Sequence, residues 1–283
     1  MLTIAFGITA IFAILSGWFV GTRALLPIKG ITRTAQEITA QDLSQRLNIQ
    51  SSDEELQQLM QTFNDMLDRL QRSFQQQRQF TADAAHELRT PLSIMQTGMD
   101  VTLSQQRSVS EYQTSLESVR EEVQRLTQLA NALLVLARSD THELSLNIEK
   151  YDLSTLLETV TEQLVVVAEE KQIQIERNIQ PNLLLYGDED RMIQIALNLI
   201  ENAIKYAPKG GKIRIDATKT NQFIQFTVHN TGVTIHHDEL EHIFDRFYRA
   251  DEARNRQQGG FGLGLAITKQ LIELHGGAIE VES

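Results

Sequence analysis

Three clusters of residues in this 283-residue sequence are of types and spacings that do chemistry. The first is His86-Glu87-Leu88-Arg89-Thr90-Pro91. A neutral imidazole is nucleophilic and titrates near physiological pH, so His86 is equipped to attack an electrophilic phosphorus. Arg89 could balance charge beside it. The second cluster, Asn198, Asn202 and Lys205, falls on one face of a helix by its spacing. An amide oxygen is a hard, uncharged donor of the kind Mg²⁺ accepts alongside waters and phosphate oxygens. The third is Gly260-Phe261-Gly262-Leu263-Gly264-Leu265. Backbone N–H groups at a helix start hold anionic phosphates, and glycines allow the close approach. Neither a Walker A sequence nor a Rossmann fingerprint is present, because no Gly-Lys-Ser/Thr follows and the G-x-G-x-x-G spacing is missing. Each cluster has a plainer reading when taken alone. A helical histidine is more often structural, Asn-x-x-x-Asn suits any exposed polar face, and spaced glycines suit a flexible loop.

The elements needed to position these clusters are legible in the periodicity. Residues 80 to 103 and 112 to 137 read as helices, the second placing Leu116, Val119, Val123, Leu126, Leu129, Leu133 and Leu136 on one stripe. The short polar stretch Ser104 to Ser110 between them fits an antiparallel hairpin. Two helices alone would leave that stripe in water, which a homodimer closing a four-helix bundle would solve. Pro91 removes a backbone donor and is expected to kink the first helix just after His86. Ser139 to Glu143 reads as a linker. Beyond it, strands are expected at 173–179, 183–186, 212–218 and 223–229, with helices at 188–206 and 263–274, an α/β sandwich.

Upstream, Leu56, Leu59, Phe63, Met66 and Leu70 repeat at steps of three and four, a seam suited to coiled-coil packing. Ile28, Ile31, Ala35 and Ile38 form an earlier helix face, joined to it by a connector anchored on Leu43, Leu47 and Ile49. Met1 to Thr22 carries no charge and is long enough, at ~1.5 Å per helical residue, to span a hydrocarbon core of roughly 30 Å. Trp18 sits at the interface end, and Arg23, Lys29 and Arg33 place the following residues in the cytoplasm by the positive-inside rule. A net charge of −11 argues against nucleic-acid binding through phosphates. The absence of cysteine removes disulfides, thiolate metal sites and thiol nucleophiles.

Taken together, the motifs identify a family. Phe80-Thr-Ala-Asp-Ala-Ala-His86-Glu-Leu-Arg-Thr-Pro-Leu92 resembles the H-box of sensor histidine kinases. Asn198-Leu-Ile-Glu-Asn202-Ala-Ile-Lys205-Tyr206, Phe244-Asp-Arg-Phe247-Tyr248-Arg249 and Gly260 to Leu265 resemble the N-box, F-box and glycine box of the gyrase, Hsp90, histidine kinase and MutL superfamily. Helix, connector and helix after a membrane segment resemble a HAMP relay, with Asp53-Glu54-Glu55-Leu56 at the start of its second helix. The resemblance implies four parts: a transmembrane helix (1–22), a HAMP-like coiled coil (23–76), a dimeric phosphotransfer hairpin (77–140) and an ATP-binding domain (146–283). It implies an ATP-dependent kinase of the inner (plasma) membrane whose catalytic part is cytoplasmic, and whose phosphoryl group passes from His86 to an aspartate on a response regulator receiver domain. Glu87 is then the base for the other ring nitrogen, and Thr90 the residue that orients water for phosphatase activity. Asn202 is the Mg²⁺ ligand with Asn198 close by, Lys205 meets phosphate, and Tyr206, Asn230, Gly232, Phe247, Arg249, Gly260, Gly262, Leu263 and Gly264 complete the ATP site. Residues 251 to 258 fit a lid over it.

Two departures from the family pattern stand out. The adenine-reading box, usually Asp-x-Gly-x-Gly, is Asn230-Thr-Gly232-Val-Thr234. The ending Gly277 to Ser283 stops before one further expected strand, as a fragment would, and no extracytoplasmic sensor precedes the membrane segment. A catalytically impaired membrane-anchored dimeric relay is the alternative these departures suggest. An asparagine accepts from the adenine amino group without charge assistance, a loss on the order of 1 kcal/mol or about fivefold in affinity. The Asn230→Asp variant is therefore expected to bind ATP about fivefold more tightly in calorimetry, and equal Kd values would contradict this.

Overall fold

The computed structural model describes residues 54–283 apart from 142, 221, 222, 233 and 250–259; before them it describes residues 6, 7, 11–18, 32, 36, 38, 39 and 42–48. The chain divides into two units, residues 1–82 and 83–283.

In the first unit, residues 6, 7 and 11–18 are helical, and no helix among the described residues is long and apolar enough to cross a membrane. Of the expected first helix face only Ile38 is described; Ile28, Ile31 and Ala35 lie outside the described residues, as do Ile49, Asp53 and the cationic Arg23, Lys29 and Arg33. Helix α1 (Glu54–Leu103) begins with two acidic residues, which suit the positive end of its dipole. The connector is fastened to it by polar bonds. Leu47 N–H donates to Asn64 Oδ1 (2.9 Å) and Asn64 Nδ2 donates back to the Leu47 carbonyl (3.0 Å). Arg46 donates to the Asp68 carboxylate and to Gln71 Oε1. Leu43, Leu47, Met60 and Leu67 are buried, whereas Leu59, Met66 and Leu70 of the expected seam are exposed. The helix therefore has two apolar faces, one buried and one open.

The second unit opens with the C-terminal half of α1 and with α2 (Val109–Asp140). Ser108 starts α2 through a reciprocal capping box with Glu111, satisfying two otherwise orphan N–H groups. Thr102 and Ser115 hydroxyls bond across the hairpin at 2.8 Å. The apolar stripe of α2 is buried at its C-terminal end, at Leu129 and Leu136, and exposed towards its start, at Leu116 and Val123. Helix α2 also packs against a helix near the C-terminus, α6 (Gly264–Leu274). Residues read as the start of a linker are helical: α2 runs to Asp140, with Ser139 buried and the Asp140 carboxylate held in a paired contact by Arg246 at 2.8 and 2.6 Å.

The remainder is a layer of helices on small sheets. Strand β1 (Glu149–Asp152) pairs antiparallel with β3 (Leu184–Gly187). Strand β4 (Lys212–Lys219) is central in the other sheet, parallel to β2 (Gln174–Ile179) and antiparallel to β5 (Ile224–Asn230). Ile213, Ile215 and Ala217 alternate inwards on β4, as the two-residue period requires. Against them lie α3 (Leu153–Glu170) and α4 (Glu189–Tyr206). Helix α3 and strand β1 are absent from the sequence expectations. The signal for α3 was present: Asp152 accepts from Ser154 N–H as N-cap, and Leu153, Leu156, Leu157, Val160, Leu164 and Ala168 form a buried stripe. The run Val165-Val166-Val167 obscures it by favouring strand.

Leu157 is fully buried in this core. Leu157→Ala should cost about 2–5 kcal/mol by lost transfer energy and a cavity, read as a lower denaturation midpoint; a loss below ~1 kcal/mol would contradict this placement.

Candidate functional site

The site is organised by α4. Ala196, Ile200, Ala203 and Ile204 point into the core, so Asn198, Asn202 and Lys205 fall on the other, half-open side of the helix, where Ile195 is also buried. Asp188 caps the start of the helix, accepting from Arg191 N–H (3.1 Å) and Asn147 N–H (3.0 Å). Asp188 N–H is itself received by His275 Nε2 at 3.0 Å, which ties α4 to the end of α6. With Nε2 accepting there, Nδ1 is the nitrogen that faces the Leu271 carbonyl, at 2.7 Å.

Asn198 reaches across to α6. Its Nδ2 donates to the Gly264 carbonyl (3.2 Å) and to Thr268 Oγ1 (3.3 Å). Thr268 is fully buried and was not singled out from sequence, although its place one turn beyond Gly264 puts it on the same face. The Asn202 carboxamide is half-buried and has no hydrogen-bond partner among the described residues. A half-buried amide of this kind is a ready acceptor or metal ligand.

The glycine box and the F-box are stitched together. Phe247 N–H donates to the Gly262 carbonyl at 3.0 Å. Gly262 has φ +70°, and a Cβ there would lie 2.7 Å from the Tyr248 carbonyl oxygen, so glycine is obligatory. Phe247 itself sits at φ +63°, a costly conformation for an aromatic residue that no local sequence rule indicates. Leu263 is buried at the N-terminus of α6 and anchors the turn. A Cβ at Gly260 would fall 2.9 Å from Lys205 Nζ, and one at Gly232 2.9 Å from the Tyr206 carbonyl oxygen and 3.3 Å from Asn230 Nδ2. The structure thus brings Asn198, Asn202, Lys205, Tyr206, Asn230, Gly232, Phe247, Gly260, Gly262, Leu263 and Gly264 around one region. Arg249 joins them electrostatically, acting on both Lys205 and Tyr206. The expected lid, 251–258, lies outside the described residues, as does Val233.

Burial holds the Lys205 ammonium below the ordinary lysine range, with Arg249 and Lys171 adding to the effect. A cleft of cations and backbone N–H groups, glycine-lined where side chains would intrude, fits a polyphosphate. Among the described residues no group of three or more His, Cys, Asp or Glu side chains could hold a metal ion. A cation here would therefore need phosphate oxygens and water besides an asparagine oxygen, which is how Mg²⁺ commonly binds with nucleotides.

His86 lies on α1, exposed, and its imidazole has no hydrogen-bond or ion-pair partner among the described residues. Thr90, one turn on, donates its hydroxyl to the His86 carbonyl at 3.3 Å and shares its face. Glu87 is adjacent and half-buried. Among the described residues no hydrogen bond or ion pair joins these three to the glycine-lined site.

Comparison with known proteins agrees with this geometry. The histidine kinase-, DNA gyrase B- and HSP90-like ATPase family matches residues 187–283, the His kinase A (phospho-acceptor) domain residues 76–142, and the HAMP domain residues 19–72. The sensor histidine kinase CusS of Escherichia coli O6:H1 is 35% identical over 257 residues, covering 91% of this chain and 53% of CusS. The sensor protein CutS of Streptomyces coelicolor is 34% identical over 274 residues, 96% of this chain and 66% of CutS. Among solved structures, full-length ShkA in complex with AMPPNP is 28% identical with a TM-score of 0.54, covering 73% of this chain and 42% of ShkA. The chain spans about half the length of CusS.

The Lys205 shift has a definite sign. Its folded-state pKa is lowered, so the charged form is penalised; the penalty is present below the folded pKa and relieved as pH rises towards the ordinary lysine value. Lys205→Met should stabilise the ligand-free protein at neutral pH, with the gain shrinking on alkalinisation. The same variant should lose at least about tenfold in ATP affinity. Thermal unfolding with and without ATP checks both, and an undiminished ATP-induced shift would contradict the assignment.

Proposed function

We propose that this chain, which belongs to the sensor histidine kinases, uses ATP to phosphorylate His86 and passes the phosphoryl group to an aspartate on a response regulator receiver domain. The observation that carries the proposal is the pairing of an exposed, unpartnered imidazole in an H-box helix with a cation- and glycine-lined cleft carrying an unpartnered asparagine. In the transfer, the imidazole nitrogen forms a bond to the γ-phosphorus of ATP while the bond from that phosphorus to the β,γ-bridging oxygen breaks, and ADP leaves. Glu87 takes the proton of the other ring nitrogen, which keeps the attacking nitrogen nucleophilic. Lys205 and the backbone N–H groups of the Gly260–Gly264 turn bind the phosphates, and Tyr206, Asn230 and Gly232 receive the base. Asn202, with Asn198 nearby, would hold Mg²⁺, which when bound would neutralise charge on the phosphate oxygens.

The same reading assigns 1–22 to a membrane helix, 23–76 to a HAMP relay, 77–140 to the phosphotransfer hairpin and 146–283 to the ATP-binding domain. It places the kinase in the inner (plasma) membrane with its catalytic part in the cytoplasm. A homodimer is supported by the exposed Leu92, Met99, Leu116 and Val123, apolar residues on a two-helix hairpin that a four-helix bundle would cover. Thr90, one turn from His86, is the residue proposed to orient water when the phosphorylated regulator is hydrolysed.

Phosphotransfer tests the reading. The full chain, incubated with labelled ATP, Mg²⁺ and a cognate receiver domain, should label the receiver, and His86→Gln should abolish that label. Thr90→Ala should slow loss of label from the receiver by at least about tenfold, the low end of a positioned catalytic group's worth. A receiver labelled equally by His86→Gln would refute the proposal.

A further inference from the structure

We infer that Asn230 makes the nucleotide site tolerant of 6-oxopurine triphosphates, such as inosine triphosphate (ITP), as well as ATP. The inference deepens the kinase reading above and rests on it. The rim of the site is continuous. The place of a Gly260 Cβ lies 2.9 Å from Lys205 Nζ, and that ammonium lies 5.1 Å from the centre of the Tyr206 ring. The Tyr206 carbonyl oxygen lies 2.9 Å from the place of a Gly232 Cβ, which in turn is 3.3 Å from Asn230 Nδ2. Phosphates drawn to the Lys205 and Gly260 end therefore leave the base at Gly232 and Asn230.

The chemistry of the side chain at that end decides which base is accepted. A carboxylate offers acceptors only, so it receives the 6-amino group of adenine and repels a 6-oxo group. A carboxamide offers an acceptor and a donor. In the structure Asn230 Nδ2 donates to the Thr231 carbonyl at 3.4 Å, which leaves Oδ1 as the atom offered to a 6-amino group. That bond is at the long limit for N–H···O, and the residue ends strand β5 in a partly exposed position. Half a turn about the terminal torsion presents N–H to a 6-oxo group, at the cost of this long contact and of bringing Oδ1 towards the Thr231 carbonyl oxygen, which the partly exposed side chain can swing to relieve. Gly232 has no side chain to resist the turn, since even a methyl there would be 3.3 Å from Nδ2. The site thus selects adenine weakly where an aspartate would select it strongly.

The test is calorimetric titration of the full chain in detergent with ATP and with ITP, for the native sequence and for Asn230→Asp. The native Kd ratio of ITP to ATP is expected within about fivefold, and Asn230→Asp is expected to raise it by about tenfold or more. An equal ratio in the two chains would overturn the inference. Asn230→Ala provides a second reading: with neither donor nor acceptor it should weaken both nucleotides by similar factors, and selective loss of ATP alone would overturn the proposal. If the native chain binds ATP but rejects ITP as strongly as Asn230→Asp does, the inference fails while the kinase reading stands. If it binds neither nucleotide, both fail.

Discussion

The whole site depends on one helical constraint. Helix α4 must bury Ala196, Ile200, Ala203 and Ile204 in the core, and 3.6 residues per turn then direct Asn198, Asn202 and Lys205 away from it. The hydrophobic effect on one face fixes the chemistry on the other. Asp188 and His275 lock the start of the helix, and Asn198 locks its middle to α6. Those polar ties do not supply the bulk of the stability. They set the axial position of the face that carries Asn198 and Asn202.

A second layer of order comes from backbone that is unfavourable in isolation. Gly260 and Gly262 have positive φ, and Phe247 adopts one despite its side chain. The Phe247 N–H to Gly262 carbonyl bond joins this strained residue to a glycine that adopts positive φ freely. Strain of this kind persists only where the surroundings overdetermine it. Here the buried Leu263 and the ion pair from Asp140 to Arg246 flank the strained turn on either side of the undescribed stretch. One ion pair thus links the last turn of α2 to the F-box.

Much of this was legible in the sequence because it rests on periodicity and on residue types with narrow uses. The face of α4, the hairpin break at Ser104–Ser110 and the glycine turn before α6 follow from spacing alone. What escaped depends on tertiary partners. Thr268 looks like any helical threonine until Asn198 is placed beside it. Ser139 and Asp140 read as linker because polarity is a local property, whereas the burial of one and the pairing of the other come from residues about a hundred positions away. The two faces of α1 merge into one seam in sequence because Met60 and Leu67 interleave with Leu59, Met66 and Leu70, and only the docked connector separates them. Helix α3 was missed for the opposite reason: its signal was local, and competing valines hid it.

On the proposed function one imidazole, His86, accepts phosphoryl from a nucleotide held by α4 and the glycine turn. Phosphopeptide mapping of the chain after incubation with ATP and Mg²⁺, with digestion and separation at neutral to alkaline pH, tests this. A single added phosphoryl is expected on the peptide that contains His86, lost in acid and kept in base. Phosphate on a serine or threonine peptide, or none on the His86 peptide from a chain that binds ATP, would contradict it.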